Sequence, residues 1–158
     1  MSKDVKKIRM AELGVAEAPQ QLVTIGLGSC VGIALYDASN KIGGMIHIML
    51  PENKKGLKPA KYADTGLPLL VEKMEESGAR KSKLRAKIAG GAAMFSVSDD
   101  SSLNVGERNV KKVKEVLKDI GIRIKGEDVG ESYGRTMKFF TENGDVLITS
   151  HKKDDITL

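Results

Sequence analysis

Leu22-Val23-Thr24-Ile25, Val31-Gly32-Ile33-Ala34-Leu35-Tyr36 and Met45-Ile46-His47-Ile48-Met49-Leu50 are three short apolar runs rich in β-branched residues, parted by Gly, Ser, Asp and Asn. Runs of this length with this punctuation read as strands. Asp37-Ala38-Ser39-Asn40-Lys41 has the length and residues of a hairpin turn, so the second and third runs are expected to pair antiparallel. Further on, Lys87-Ile88-Ala89 reads as a buried strand running into Gly90-Gly91. Ala63, Leu67, Leu70, Val71 and Met74 line one face of a helix that ends near Ser77-Gly78, and Pro68 requires it to start near Gly66 or to kink. Val110, Val113, Leu117 and Ile120 mark a second helix, with Asn104 and Glu107 as its N-cap signature and Gly121 as its stop. Three more strands are expected at Ile122 to Ile124, Thr136 to Phe140 and Val146 to Thr149. The last two are joined through Asn143-Gly144, a pair that type I′ turns favour. Residues 1–18 form an N-terminal extension with room for one edge strand near Ile8 to Met10, and residues 152–158 read as a frayed tail. The fold expected is α+β: a mixed β-sheet sandwich with outer helices, in one domain spanning residues 1–158.

At 158 residues the chain suits one core, and no apolar run reaches the roughly 18 residues of a membrane span. A soluble, cytoplasmic protein is expected, not inserted in a membrane. One cysteine and two histidines are too few for a structural zinc site or an internal disulfide, so no metal is expected. Aromatic residues make up 4% of the chain and tryptophan is absent, which leaves few rings to stack on bases and argues against nucleic acid. The net charge of +5 favours an acidic partner mildly.

The turn Gly26-Leu27-Gly28-Ser29-Cys30 directly follows a strand. It is not a phosphate loop, since no Gly-Lys-Ser/Thr ending follows, and valine at position 31 breaks the dinucleotide-binding spacing. Ser29 lacks the flanking glycines of a hydrolase elbow. A thiol nucleophile at Cys30 fits better: a glycine-rich turn leaves room for a substrate amide. A neutral imidazole at His47, within hydrogen-bonding reach, would lower the thiol pKa and protonate a leaving amine. Thr24 could bond the other ring nitrogen and set the tautomer, and backbone N–H groups around Ser29 and Cys30 could form an oxyanion hole. On residue types alone the blander alternatives stay open: Cys30 as a small hydrophobe, His47 as a core histidine, and Thr24 as an ordinary strand residue. Lys54, Lys55, Lys58 and Lys61 could be a solvated loop, His151 part of a solvated tail, and Met45, Met49 and Met94 core filler.

Four motifs, Thr24-Ile25-Gly26-Leu27-Gly28-Ser29-Cys30, His47-Ile48-Met49-Leu50-Pro51, Gly90-Gly91-Ala92-Ala93-Met94-Phe95 and Gly106-Glu107-Arg108-Asn109, resemble in order and spacing those of the CheD family of chemoreceptor glutamine deamidases. The resemblance runs from about Leu22 to Thr149. It implies Cys30 as nucleophile, His47 as general base and acid, and Thr24 as the residue that orients the histidine. Gly28, Ser29, Phe95, Lys54 and Lys55 are the candidate substrate contacts. The implied fold is similar to that of bacterial toxin deamidases. The implied activity is hydrolysis of glutamine side-chain amides on the cytoplasmic helices of methyl-accepting chemotaxis receptors, through a Cys thioester and without a cofactor. A second implied partner is the phosphatase CheC, so the alternative is a regulatory receptor- and CheC-binding module in which catalysis is secondary. The one departure is Glu131, where the family commonly carries glycine.

Overall fold

The hairpin expected at Asp37 to Lys41 is formed by β4 (Val31–Asp37) and β5 (Ile42–Ile48), antiparallel and in register from Val31 opposite Ile48 to Asp37 opposite Ile42. Asp37 itself shapes the turn. Its carboxylate accepts from the Ser39 and Asn40 N–H groups, the Asn40 amide and the Arg80 N–H. Burial would raise its pKa, but these bonds outweigh burial and hold the carboxyl below its ordinary range. The computed structural model describes residues 5–56, 58–94 and 104–158.

Two five-stranded sheets are built around this hairpin. One holds, in spatial order, β2 (Leu13–Glu17), β5, β4, β6 (Arg85–Gly90) and β7 (Arg123–Val129). The other holds β1 (Val5–Lys7), β3 (Gln21–Leu27), β8 (Arg135–Phe140), β9 (Val146–Thr149) and β10 (Ile156–Thr157). Leu22, Leu27, Ala34, Met45, Met137 and Phe139 fill the layer between the sheets. The opposite face of the first sheet is covered by α1 (Ala63–Glu76) and α2 (Val105–Ile120), through Leu67, Leu70, Met74, Val113 and Leu117 packed on Ile33, Leu35, Ile46 and Ile88. β4 and β5 are therefore covered on both faces, which is why their sequences are apolar almost throughout. The α+β sandwich with outer helices is as expected.

α2 is capped as expected: Asn104 Oδ1 accepts the Glu107 N–H at 2.9 Å, and Gly121 ends the helix at φ 91°. Several boundaries differ from the expectation. α1 begins at Ala63 rather than near Gly66, with Pro68 inside it on the exposed face while six other residues bury the helix. The N-terminal strand lies at Val5–Lys7, not Ile8–Met10, and a further strand, β2, follows it. β7 runs to Val129 instead of stopping at Ile124. The tail is not frayed to its end: Ile156 and Thr157 pair with β9, and Leu158 exchanges two backbone hydrogen bonds with Val146. Gly144 has φ 85° but Asn143 is not left-handed, so the β8–β9 connection is not type I′. The Phe140 N–H to Asp145 and Gly144 N–H to Phe140 bonds close a longer loop instead.

Glu131 has φ 62°, in the left-handed region that glycine occupies without steric cost, and its carbonyl accepts the Ala93 N–H. Removing Cβ there lifts a penalty of about 1–2 kcal/mol, offset by roughly 0.5–1 kcal/mol of extra freedom in the unfolded chain. Glu131→Gly is expected to raise the calorimetric melting temperature by about 2 °C. A lowered melting temperature would show that the Glu131 side chain stabilises the turn.

Candidate active site

Thr24 lies on β3 at the start of a bulge that shifts the β3–β8 register between Thr24 and Leu27. Such an irregularity re-aims the chain, and here it leads into the turn that carries Cys30. Across the intersheet layer, His47 sits on β5 opposite Gly32 of β4. Alternation along the strands sets Cys30, two residues before Gly32, on the same inward face as His47 and diagonal to it, a relation long side chains can bridge. Thr24 and His47 are fully buried, and Cys30 is 8% exposed. Substrate access to the three is through the thiol.

The hydrogen bonds settle the tautomer. Thr24 Oγ1 donates its one hydrogen to the Ile8 carbonyl at 2.6 Å. Toward His47 Nδ1, also at 2.6 Å, it can then only accept, so Nδ1 carries the proton. Nε2 is left with a bare lone pair that has no partner among the described residues. Burial lowers the His47 pKa from 6.5 to about 4. Burial also raises the Cys30 pKa, opposed by the bond from its own backbone N–H. The expectation that His47 lowers the thiol pKa is thus not met in the free chain: both groups rest neutral, and among the described residues no carboxylate contributes to either shift. The arrangement suits proton transfer from thiol to imidazole during attack.

The remaining candidates divide. Gly28 faces Met94, whose Cγ would lie 3.1 Å from a Cβ at position 28. The Ser29 carbonyl is held by Asn109 at 2.9 Å. Lys54 and Lys55 are exposed on the loop after β5. Phe95 lies outside the described residues. Met45 is buried, but Met94 is 45% exposed and so is not core filler. Together with Ile25, 54% exposed, Met94 borders a groove that Tyr133, Arg135 and His151 also line. Ile8 contributes a backbone carbonyl, which leaves no residue-type signal. Asn109 belongs to the Gly106-Glu107-Arg108-Asn109 motif without an assigned role, and it stands four residues before Val113 on the buried face of α2.

A family model for CheD chemotactic sensory transduction matches residues 49–150. The chain belongs to the CheD family. A probable chemoreceptor glutamine deamidase CheD from Clostridium novyi is 53% identical over 94% of this chain and 94% of its own. Its namesake in Clostridium botulinum strain Hall is 51% identical over 92% and 93%. Among solved structures, a Neisseria meningitidis protein of family DUF152 aligns with TM-score 0.54 at 10% identity, covering 82% of this chain and 64% of that one, a likeness of fold alone. The C-terminal domain of CNFy from Yersinia pseudotuberculosis aligns at 0.43, too low to bear on the fold. Among the described residues no helix is long and apolar enough to cross a membrane.

Two measurements follow from the neutral pair. The unfolded chain binds a proton at His47 below pH 6.5, whereas the folded chain does so only near 4, so stability present above 6.5 is lost as pH falls through that window. In denaturant titrations between pH 7 and pH 4, the parent should lose on the order of 3 kcal/mol more than His47→Gln. Equal losses would mean that His47 protonates freely in the fold. Cys30 should also react with iodoacetamide at pH 7 more slowly than free cysteine, and a faster rate would reveal a resting thiolate.

Proposed function

We propose that this chain is a chemoreceptor glutamine deamidase in which Cys30, His47 and Thr24 act together. The observation that carries this reading is the buried chain of bonds from His47 Nδ1–H through Thr24 to Ile8, which leaves the Nε2 lone pair unclaimed on the face that holds Cys30. The hydrogen bond expected between His47 and Cys30 is not formed in the free chain, but a core histidine kept for packing alone has no need of a bare nitrogen on the face that also holds a thiol.

In the proposed reaction Nε2 takes the thiol proton as Sγ bonds to the glutamine carboxamide carbon, giving a tetrahedral oxyanion. The imidazolium returns that proton to the amide nitrogen, the C–N bond breaks and ammonia leaves a thioester. Water then gives a proton to Nε2 while its oxygen attacks the thioester. The C–S bond breaks, and Sγ recovers the proton from Nε2. The net change is glutamine plus water to glutamate plus ammonia, with no other reactant.

Exposed Ile25 and Met94 beside the Cys30 turn support a protein surface as substrate rather than a free amino acid. Exposed Lys54 and Lys55 would steer acidic receptor helices from the rim, and the protein would act in the cytoplasm, where those helices lie. In the same reading CheC would dock on this surface and compete with receptor.

The test is mass spectrometry of a purified receptor cytoplasmic fragment, before and after incubation with the protein, for glutamines converted to glutamate. Cys30→Ala should abolish conversion with the fold intact, and full activity in that variant would end the enzyme reading. His47→Ala should lose about 10²- to 10⁴-fold in rate, and Thr24→Ala less, since Thr24 only orients the ring. A folded Thr24→Ala as inactive as His47→Ala would show that this division of roles is wrong.

A further inference from the structure

Gly106-Glu107-Arg108-Asn109 opens α2, and the reaction above leaves it unused. Asn109 is fully buried. Its Nδ2 donates to the Ser29 carbonyl at 2.9 Å and to the Met49 carbonyl at 3.0 Å. Both neighbours can only accept, which fixes which end of the amide faces them. Oδ1 has no partner among the described residues, so the side chain serves as a double donor alone. The two carbonyls belong to the two stretches that carry the reacting groups: Ser29 precedes Cys30, and Met49 stands two residues past His47. α2 comes this close because position 106 is glycine, where a Cβ would lie 2.4 Å from the Ala92 oxygen and 2.5 Å from the Gly91 oxygen.

Peptide planarity converts this clamp into a direction. In a trans peptide the C=O and the following N–H point oppositely. With the Ser29 carbonyl held toward Asn109, the Cys30 N–H faces away from α2. The preceding peptide is also held, since the Gly28 carbonyl accepts the Ala92 N–H at 2.8 Å, and that turns the Ser29 N–H away from Ala92. Neither N–H is taken by another described residue. The Cys30 N–H leans instead on its own sulfur.

We propose that Asn109 is a positioning residue: by fastening the Ser29 carbonyl to α2 it presents the Cys30 N–H to the oxyanion formed when Sγ attacks the glutamine carbonyl. Donors fixed in advance at such a place need no reorganisation during the reaction. The inference rests on the deamidase reading, and a parent protein that converts no receptor glutamine would overturn that reading first.

The experiment compares two reactions of the same thiol. Deamidation builds an oxyanion; alkylation by iodoacetamide displaces iodide at a saturated carbon and builds none. Asn109→Ala, and Asn109→Asp, which keeps the shape but loses both donors when ionised, should lower kcat on the receptor fragment about 10- to 100-fold with KM nearly unchanged. Their alkylation rates at pH 9 should stay within about twofold of the parent, because that reaction needs no oxyanion donor. Unchanged deamidation, or deamidation and alkylation falling in parallel, would overturn the proposal. A measurement on the unaltered chain stands beside the variants should they fail to fold. Capture by Cys30 of a peptide bearing an aldehyde in place of the glutamine carboxamide should shift the Cys30 amide proton downfield, and an unmoved resonance would overturn the assignment.

Discussion

Across the layer between the two sheets, the His47 imidazole on β5 is fastened to Thr24 on β3, and Thr24 to the carbonyl of Ile8 just beyond β1. Every other group in the site takes its position relative to this link. Burying a threonine hydroxyl and an imidazole nitrogen among Leu22, Met45 and Met137 is tolerable only because each donor meets an acceptor. Breaking the link at any point would strand a buried polar group, at a cost of about 1–3 kcal/mol. The exception, Nε2, is the atom the proposed chemistry needs. The N-terminal segment is thereby part of the site, since Ile8 reaches β3 through its N–H to the Val23 carbonyl and holds Thr24 with its own carbonyl.

A second fastening closes the end of the sandwich beside the Cys30 turn. Arg135 at the start of β8 reaches across to Asp128 of β7 at 3.0 Å, to the Gly130 carbonyl at 3.0 Å and over the Tyr133 ring at 4.5 Å. Its guanidinium is buried, so the ion pair ties the edge of one sheet to the interior of the other in a way that tolerates no sliding. The turn between β7 and β8 then supplies the Glu131 carbonyl to the Ala93 N–H, while Gly91 and Ala92 hold the Cys30 and Gly28 carbonyls. A left-handed Glu131 is thus strain carried within a network that also positions Cys30, the proposed nucleophile.

What could be read in the sequence follows burial. β3, β4, β5, β6, β8 and β9, strands of the sheet interiors, carry dense apolar runs and were recognisable as strands. The four strands missed or most displaced, β1, β2, β7 and β10, are the four sheet edges. Edge strands bury fewer side chains: β7, Arg123-Ile124-Lys125-Gly126-Glu127-Asp128-Val129, has no fully buried residue, and its pairing comes from backbone that residue types do not report. The site divides in the same manner. Thr24, Cys30 and His47 announce themselves by side-chain chemistry, whereas Ile8 acts through its carbonyl. Asn109 acts on carbonyls, and its signals are the Gly106-Glu107-Arg108-Asn109 motif and its place on the buried stripe with Val113 and Leu117.

The orienting group is a hydroxyl and not a carboxylate, and this shapes when the site becomes reactive. An aspartate beside Nδ1 would stabilise imidazolium permanently and favour a standing thiolate. Thr24 offers no charge, and burial disfavours ionisation of both partners, so the cost of separating thiol proton from sulfur is met only when a second charge appears. In the proposed reaction that charge is the oxyanion of the bound glutamine, close enough to stabilise the imidazolium as it forms. A resting thiol at 8% exposure that stays protonated is a poor target for oxidants and stray electrophiles. In the proposed reaction the same features that protect Cys30 would make its activation depend on an amide delivered in the right orientation, a selectivity for substrate that a preformed ion pair would not provide.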